Sequence, residues 1–87
     1  MWFVYILECD NGTFYTGTTN NIERRFKDHV QLNGGKYTST FIPKKLLFTE
    51  KHLTKSSALK REFQIKGWTR RKKLALINND LELLKRL

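Results

Sequence analysis

The pattern of apolar and polar positions at the start of the chain predicts a β-hairpin. Apolar, aromatic and β-branched residues dominate from Trp2 to Cys9, as is typical of a strand. Asp10-Asn11-Gly12 has the composition of a tight turn, and residues 13–18 return as a second strand. Two antiparallel strands therefore begin the fold.

The length of that turn decides which side chains share a face. A two-residue turn at Asn11-Gly12 puts Tyr5 and Tyr15 on opposite faces. A three-residue loop at Asp10-Asn11-Gly12, with its glycine left-handed, pairs Tyr5 with Gly17 and puts both tyrosines on one face. The sequence alone does not choose between them, and tyrosine is an ordinary strand residue. We favour the second turn, because Gly17 would then leave backbone open beside two phenols.

The next segment has the period of an amphipathic helix. Asn20 is the predicted N-cap, and Glu23 three residues later completes a capping box. Ile22, Phe26 and Val30 recur every fourth position and form the predicted buried stripe.

Two polar residues lie on the flank of this stripe, between core and solvent. Arg25 and His29 are i, i+4 neighbours there. Arg24 points roughly opposite Ile22 at about 100° per residue. Arg25 is therefore the candidate site residue, and Arg24 is predicted to be a solvated charge.

The remaining pattern predicts a third strand and three more helices, which gives an α/β domain: a small three-stranded antiparallel sheet flanked by helices. The third strand covers residues 44–50 and starts after Pro43, and His52 beyond it is predicted to be solvated. The predicted helices cover residues 56–66, 70–77 and 81–87, with Thr54, Thr69 and Asp80 as caps and Gly67 ending the first of them.

Glu62 occupies an unexpected position on the second helix. The apolar positions of that helix are Ala58, Leu59, Phe63 and Ile65. At about 100° per residue, Glu62 falls inside the arc that they define. A carboxylate among buried residues is costly unless it is paired or binds a metal. The alternatives are a structural ion pair with Arg25 or Lys66, and a metal site.

The charge of the protein is strongly basic and uneven. The net charge is +9, and residues 55–73 hold eight basic residues against Glu62, a net charge of +7. These basic residues are Lys55, Lys60, Arg61, Lys66, Arg70, Arg71, Lys72 and Lys73. Concentrated positive charge indicates a polyanionic partner, most often nucleic acid, and the alternative is a solubilising face.

Length and composition limit the organisation. The 87 residues make one domain, 1–87. Cys9 is the only cysteine, so it has no internal disulfide partner, and we expect it to be buried in a protein of a reducing compartment. No apolar run approaches about 18 residues, so we expect no membrane span and a cytoplasmic protein. Nothing in the sequence indicates an obligate protein partner.

The two tyrosines, Gly17, Arg25 and His29 together resemble the GIY-YIG nuclease family. The first triplet of the family is similar to Val4-Tyr5-Ile6 and the second to Tyr15-Thr16-Gly17. The first glycine and the second isoleucine are replaced, by valine and threonine. These departures resemble the small single-domain branch of the family, and the resemblance covers nearly the whole chain.

The resemblance implies a metal-dependent DNA endonuclease that hydrolyses phosphodiester bonds. It implies that Glu62 holds one Mg²⁺ or Mn²⁺, because the metal-binding glutamate of the family lies in a stretch similar to residues 61–66. Tyr5 or Tyr15 would contact the nucleophile or the phosphate, with Tyr5 preferred as the base. A free tyrosine has a pKa near about 10, so this base would need activation by a cation.

The other roles that the resemblance implies are distributed over the chain. Arg25 would steady the non-bridging oxygens, His29 would support the phosphate or the proton transfer, and Gly17 would let the backbone approach. An asparagine near the end of the third helix shapes the site in the family, and Asn78 is the candidate, although helix capping explains it equally well.

The implied partner is DNA, structured or branched. Candidate contacts come from the polar loop, Lys36 and Tyr37, and from Lys66 with the run Arg70, Arg71, Lys72 and Lys73. A lysine beside an exposed aromatic can hold a phosphate and a base together. The equal alternative for Tyr37 is packing on the sheet.

Two other functions fit the same sequence. One is a nucleic-acid-binding module that keeps the fold without cutting, in which Glu62 is structural. The other is a protein-interaction domain with a basic face, which predicts weak, salt-insensitive affinity for nucleic acid.

Overall fold

The structure, a computed structural model, describes the backbone of residues 1–31 and 43–87, and the side chains of the same residues except 28–31 and 43. The predicted loop with Lys36 and Tyr37 lies outside the described residues, as do the side chains of His29 and Val30. In chain order the elements are β1 (Trp2–Cys9), β2 (Phe14–Thr19), α1 (Ile22–Gln31), β3 (Pro43–His52), α2 (Lys55–Lys66), α3 (Arg70–Ile77) and α4 (Leu81–Arg86).

The sheet is antiparallel with the order β2-β1-β3, which confirms the predicted fold class. The central strand β1 has the longest apolar run of the chain, and its residues 4–7 are all buried. Burial at consecutive positions means that both faces of the sheet are covered, because side chains of a strand alternate between faces.

The turn between β1 and β2 is the three-residue form. Gly12 has a φ of +83°, its N–H donates to the Cys9 carbonyl at 2.9 Å, and the Cys9 N–H donates to Thr13 at 2.9 Å. Tyr5 consequently pairs with Gly17 in the register. The favoured turn is confirmed, and with it the placement of both tyrosines on one face.

The two faces of the sheet carry different elements. One face forms the core of Val4, Ile6, Ala58, Ile65 and Leu76, so α2 and α3 cover it. The other face carries Tyr5 and Leu7, which share a narrow hollow with Ile22, Phe26 and Leu46. Helix α1 therefore packs beside Tyr5, whereas α2 lies behind the sheet.

The helix caps follow the sequence closely, with one correction. The predicted caps Thr54, Thr69 and Asp80 are confirmed, with side chains accepting from the backbone N–H groups of Ser57, Lys72 and Leu83. The predicted Asn20 cap of α1 is wrong. The side-chain oxygen of Asn21 accepts from the Arg24 N–H at 3.0 Å, because the helix begins at Ile22 and the cap precedes it directly.

Only two of the four residues predicted to form the buried face of α2 are buried. Ala58 and Ile65 are buried, but Leu59 is 45% and Phe63 is 82% exposed. Residues seven apart lie on one line of a helix, and the sheet covers only the face around the line from Ala58 to Ile65. Leu59 and Phe63 lie about 100° and 140° from that line, on the solvent side. Glu62 lies about 40° from it, which explains its partial burial.

Arg70 joins the start of α3 to the hairpin turn. Its Nη1 donates to the Gly12 carbonyl at 2.6 Å, and its guanidinium lies 4.1 Å from the centre of the Phe14 ring. None of the helices in the described parts of the chain is long and apolar enough to cross a membrane.

We predict that Arg70→Ala destabilises the protein by about 1 kcal/mol, since it removes a charged hydrogen bond and a cation–π contact at an exposed site. For a domain of this size that loss lowers the melting temperature by about 4–8 °C. Arg71→Ala is the matched control, because Arg71 is exposed on the same turn of α3. Equal melting temperatures for both variants would contradict a structural role of Arg70.

Candidate active site

A pair of tyrosines forms the centre of the candidate site. Tyr5 is 3% exposed, and its ring centroid lies 6.2 Å from that of Tyr15 with the planes tilted by 32°. A side-chain hydrogen bond links the two phenols. The hairpin register therefore brings the two phenols together, as expected for tyrosines that share one face of the sheet.

Gly17 provides the space that Tyr5 occupies. A Cβ at this position would collide with Oη and Cζ of Tyr5. The phenol lies over the bare backbone of β2, which is an edge strand of the sheet. The glycine is therefore required by a close approach, and the phenol hydroxyl lies at the edge of the sheet.

Arg25 lies beside this pair. It lines the same hollow as Tyr5, and it also borders a polar hollow with Thr19, Asn21 and Arg24 at the start of α1. Its guanidinium is close enough to lower the pKa of Tyr5. Arg24 is exposed as predicted, and it lines the polar hollow but not the hollow beside Tyr5. Of the two arginines, only Arg25 lines the hollow beside the phenol.

The surroundings of Tyr5 hold its phenol in the neutral form. Burial is the main cause that raises the pKa of Tyr5 well above the usual value for tyrosine, and the Tyr15 phenol and the Glu62 carboxylate raise this pKa further. Arg25 opposes them. At neutral pH the phenol is thus a hydrogen-bond donor, and a role as base requires more positive charge beside it than Arg25 supplies.

Glu62 reaches the site from α2, behind the sheet. Its side chain is 18% exposed, and Oε2 lies 2.8 Å from Nζ of Lys66, which is 52% exposed. Of the two ion pairs that the sequence left open, the structure forms the one with Lys66. The carboxylate is also close enough to raise the pKa of Tyr5, so α1 and α2 bring opposite charges to one phenol from opposite faces of the sheet.

The donor set fits only a metal that the substrate helps to hold. Among the described residues no group of three or more His, Cys, Asp or Glu side chains could hold a metal ion. Mg²⁺ commonly binds through one or two carboxylates, substrate phosphates and several waters. One partly buried carboxylate such as Glu62 is compatible with that kind of site, but not with a metal bound by protein ligands alone.

The remaining predicted site residues are not joined to the phenols by any described contact. Asn78 ends α3, where it is exposed and its N–H donates to the Leu74 carbonyl at 2.9 Å. Asn79 has the left-handed φ of 56°. The backbone of His29 belongs to α1, but its side chain is not described. The roles of Asn78 and His29 stay predictions.

The basic run at the start of α3, residues 70–73, contains side chains that contact the rest of the fold and side chains for which no such contact is described. Arg70 is bound to the hairpin turn, and Nζ of Lys72 lies 4.5 Å from the centre of the Trp68 ring. Arg71 is exposed and Lys73 is half-buried. The run is therefore partly structural, which four adjacent positive charges in the sequence do not reveal.

A polar network between β3 and α2 was missed by the sequence analysis. His52, predicted to be solvated, is 15% exposed: Nε2 lies 2.7 Å from Oε1 of Glu50, and Nδ1 lies 2.7 Å from Oγ of Ser57. The same Oε1 accepts from Nε of Arg61 at 3.1 Å. Glu50 and His52 lie two positions apart in β3, so their side chains share one face of the strand. This spacing is the sequence signal that could have predicted their contact. This network fixes Arg61, the residue before Glu62.

We predict that Gly17→Ala displaces the Tyr5 ring, because the new methyl group and the phenol occupy the same space. Such overpacking costs about 1–3 kcal/mol. Thermal melting measures the loss, and near-UV circular dichroism reports the changed tyrosine environment. Gly67→Ala is the control, since its Cβ would meet nothing closer than 3.5 Å and its φ of −81° suits alanine. Unchanged melting of Gly17→Ala would contradict the close packing of Tyr5 on Gly17.

Comparison with known proteins identifies the family of this chain. The family model described as the GIY-YIG catalytic domain matches residues 1–75. UPF0213 proteins from Staphylococcus aureus strains Mu3 and Mu50 are 47% identical over 75 residues, which cover 86% of this chain and 92% of theirs.

A solved structure is similar as well. The solution NMR structure of a UPF0213 protein from Bacillus halodurans has a TM-score of 0.57 and 40% identity, and the match covers 90% of this chain and 84% of that chain. The names of these relatives state no reaction, substrate or metal. The family model spans most of the chain, including both tyrosines, Gly17 and Arg25. This protein therefore belongs to the GIY-YIG family, a nuclease superfamily.

Proposed function

We propose that the protein is a divalent-metal-dependent endonuclease that hydrolyses phosphodiester bonds in DNA, with structured or branched DNA as the preferred substrate. The observation that carries the proposal is the convergence on one buried phenol. Arg25 and Glu62, of opposite charge, both act on Tyr5, which lies over the bare backbone of Gly17 at an edge of the sheet. Phosphodiester hydrolysis needs cations for the phosphate, an anchor for a metal and a group that takes a proton.

The positive charge near the phenols would receive the phosphate. Arg25 is exposed and beside Tyr5, so its guanidinium can bind the non-bridging oxygens with two hydrogen bonds. Tyr15 is only half-buried and can donate to the same phosphate. His29 lies one turn after Arg25 in α1 and would support the phosphate or the proton transfer.

Tyr5 is the proposed base, with Tyr15 as its hydrogen-bonded partner. Its raised pKa keeps the proton on the phenol until additional positive charge arrives. Arg25 already acts in that direction, so removing Arg25 would hold the phenol more firmly in the neutral form. The substrate complex, rather than the free protein, would then contain the activated base.

Glu62 is the proposed metal ligand for one Mg²⁺ or Mn²⁺. Bound there, the ion would supply positive charge for the phosphate oxygens and favour ionised neighbours. Lys66 now neutralises the carboxylate, and because Lys66 is half-exposed its side chain can move away at little cost. The same lysine is then available to a DNA phosphate.

A second candidate function is a DNA-binding module that does not cut. Two observations favour it: the raised pKa of Tyr5, and the ion pair that Glu62 forms with Lys66. Incubation with branched, nicked and single-stranded DNA, with and without Mg²⁺ or Mn²⁺, separates the two candidates. Cutting that depends on the metal supports the nuclease, and binding without cutting under every condition supports the module.

We predict that Glu62→Gln abolishes cutting and leaves the fold intact. A hard cation prefers charged oxygen ligands, so the loss of this carboxylate should remove metal binding. DNA binding should persist or tighten, since one negative charge leaves the phosphate path. An i, i+4 ion pair on a helix contributes about 0.3–0.5 kcal/mol and glutamine keeps the shape of the side chain, so the melting temperature should change little.

Glu82→Gln is the control for Glu62→Gln, because Glu82 is an exposed carboxylate in the first turn of α4 and is not among the groups that act on Tyr5. We expect it to cut like the wild type. A large drop in the melting temperature of Glu62→Gln together with residual cutting would show that Glu62 is a structural partner and not a ligand.

We predict that Arg71 and Lys73 of the basic run carry the electrostatic attraction to DNA. Arg71→Ala combined with Lys73→Ala should weaken binding at low salt and flatten the plot of log K against log salt concentration, by about 1 unit of slope for each lost phosphate contact. Lys85→Ala, an exposed change on α4, is the control. An unchanged slope in the double variant would remove these two residues from the interface.

A further inference from the structure

Phe63 is an exposed aromatic residue that the proposed chemistry leaves unused. It is 82% exposed on α2, and Leu59, one turn before it, is 45% exposed. A single exposed apolar residue is normal on a protein surface. Phe63 differs because two exposed lysines, Lys60 and Lys66, flank it on the helix surface.

The neighbours of Phe63 on the helix surface indicate the chemistry of its partner. Residues three and four apart are adjacent on a helix, so Lys60, Lys66 and Leu59 surround the ring. All three are exposed. The cores of protein–protein interfaces are depleted in charged residues, and in lysine especially, so two flanking lysines do not favour a protein partner. A flat apolar ring between ammonium groups matches a nucleotide, which has an aromatic base and an anionic phosphate.

Trp68, the other aromatic residue in the basic segment 55–73, already contacts side chains of the protein. Trp68 has the guanidinium of Arg61 at 5.1 Å and the ammonium of Lys72 at 4.5 Å from its ring centre. It is half-buried and packs against the core of the domain. Its ring is therefore satisfied by internal contacts, whereas most of the Phe63 side chain meets solvent.

We propose that Phe63 stacks on a base of the DNA, next to the nucleotide whose phosphate lies at Lys60. This inference rests on the proposed binding of DNA but not on its cleavage. Lys60 lies one turn before Phe63 on the same side of α2, so a strand whose phosphate binds Lys60 passes within contact of the Phe63 ring. A base can stack on the ring only if it leaves its neighbour in the DNA, so the site requires an unstacked base.

The test compares two probes of equal charge. Wild-type protein in EDTA is titrated against fluorescent oligothymidylate and against an abasic oligonucleotide with the same number of phosphates. One stacked base contributes about 1–3 kcal/mol, so we expect the oligothymidylate to bind about 5- to 150-fold more tightly. Phe63→Ala should abolish this preference and keep the affinity for the abasic probe. Phe63→Trp should retain the preference, because tryptophan also stacks.

Leu53→Ala is the matched control, since Leu53 is an apolar residue that is 85% exposed in the turn before α2. We expect it to keep the preference for the oligothymidylate. Equal binding of both probes by the wild type would overturn the stacking role of Phe63 and leave electrostatic binding of DNA standing. Failure of the wild type to bind either probe would overturn both proposals.

The alternative to base stacking is that Phe63 and Leu59 form a contact between two copies of the protein. Sedimentation of the same variants tests this alternative. A wild-type dimer that Phe63→Ala dissociates, with an unchanged preference for the oligothymidylate, would assign Leu59 and Phe63 to a contact between copies and overturn the stacking role. Monomers throughout, with the preference lost only in Phe63→Ala, would support it.

Discussion

The contact on which the candidate site depends is the packing of the Tyr5 phenol on the backbone of Gly17. It exists because a three-residue turn with Gly12 at a φ of +83° sets the register of the hairpin. A turn shorter by one residue would move every side chain of β2 to the other face, since side chains of a strand alternate. The Tyr15 phenol would then lie behind the sheet, away from Tyr5 and Arg25. A local turn therefore determines which groups meet, before any helix packs on the sheet.

This contact also explains how opposite charges act on one phenol. The sheet separates α1 from α2, and a side chain at its centre would be shielded from one of them. Because Gly17 has no side chain and β2 is an edge strand, the Tyr5 hydroxyl lies where groups from both faces can act on it. Burial raises the pKa of Tyr5, whereas Arg25 lowers it. The protonation state of the phenol is thus sensitive to whatever charge a phosphate or a cation adds at that edge.

The sequence predicted those features that depend on short-range chemistry. The strands and three of the four helix caps follow from residue type and spacing, and the three-residue turn that pairs Tyr5 with Gly17 was the favoured one of two turns that the sequence left open. The buried face of α2 was harder, because Leu59 and Phe63 are apolar and nothing in the sequence says how wide a strip of the helix the sheet covers. The partners of Arg70 and His52 were also hidden, since one reaches across 58 positions to Gly12 and the other joins two elements. Such contacts depend on how the elements pack, which local patterns do not contain.

Helix α2 has three different surfaces, whereas a simple amphipathic helix has two, one buried and one exposed. Ala58 and Ile65 anchor it to the sheet, and Arg61 is held by Glu50 on β3. Glu62 borders this anchored face, so its carboxylate is partly desolvated yet accessible. Phe63 follows about 100° further round the helix, fully in solvent. A rigidly anchored helix fixes the backbone positions of Glu62 and Phe63 and the directions in which their side chains leave it, about 100° apart. If both residues act on one DNA strand, the helix itself sets the spacing between the proposed metal site at Glu62 and the base at Phe63.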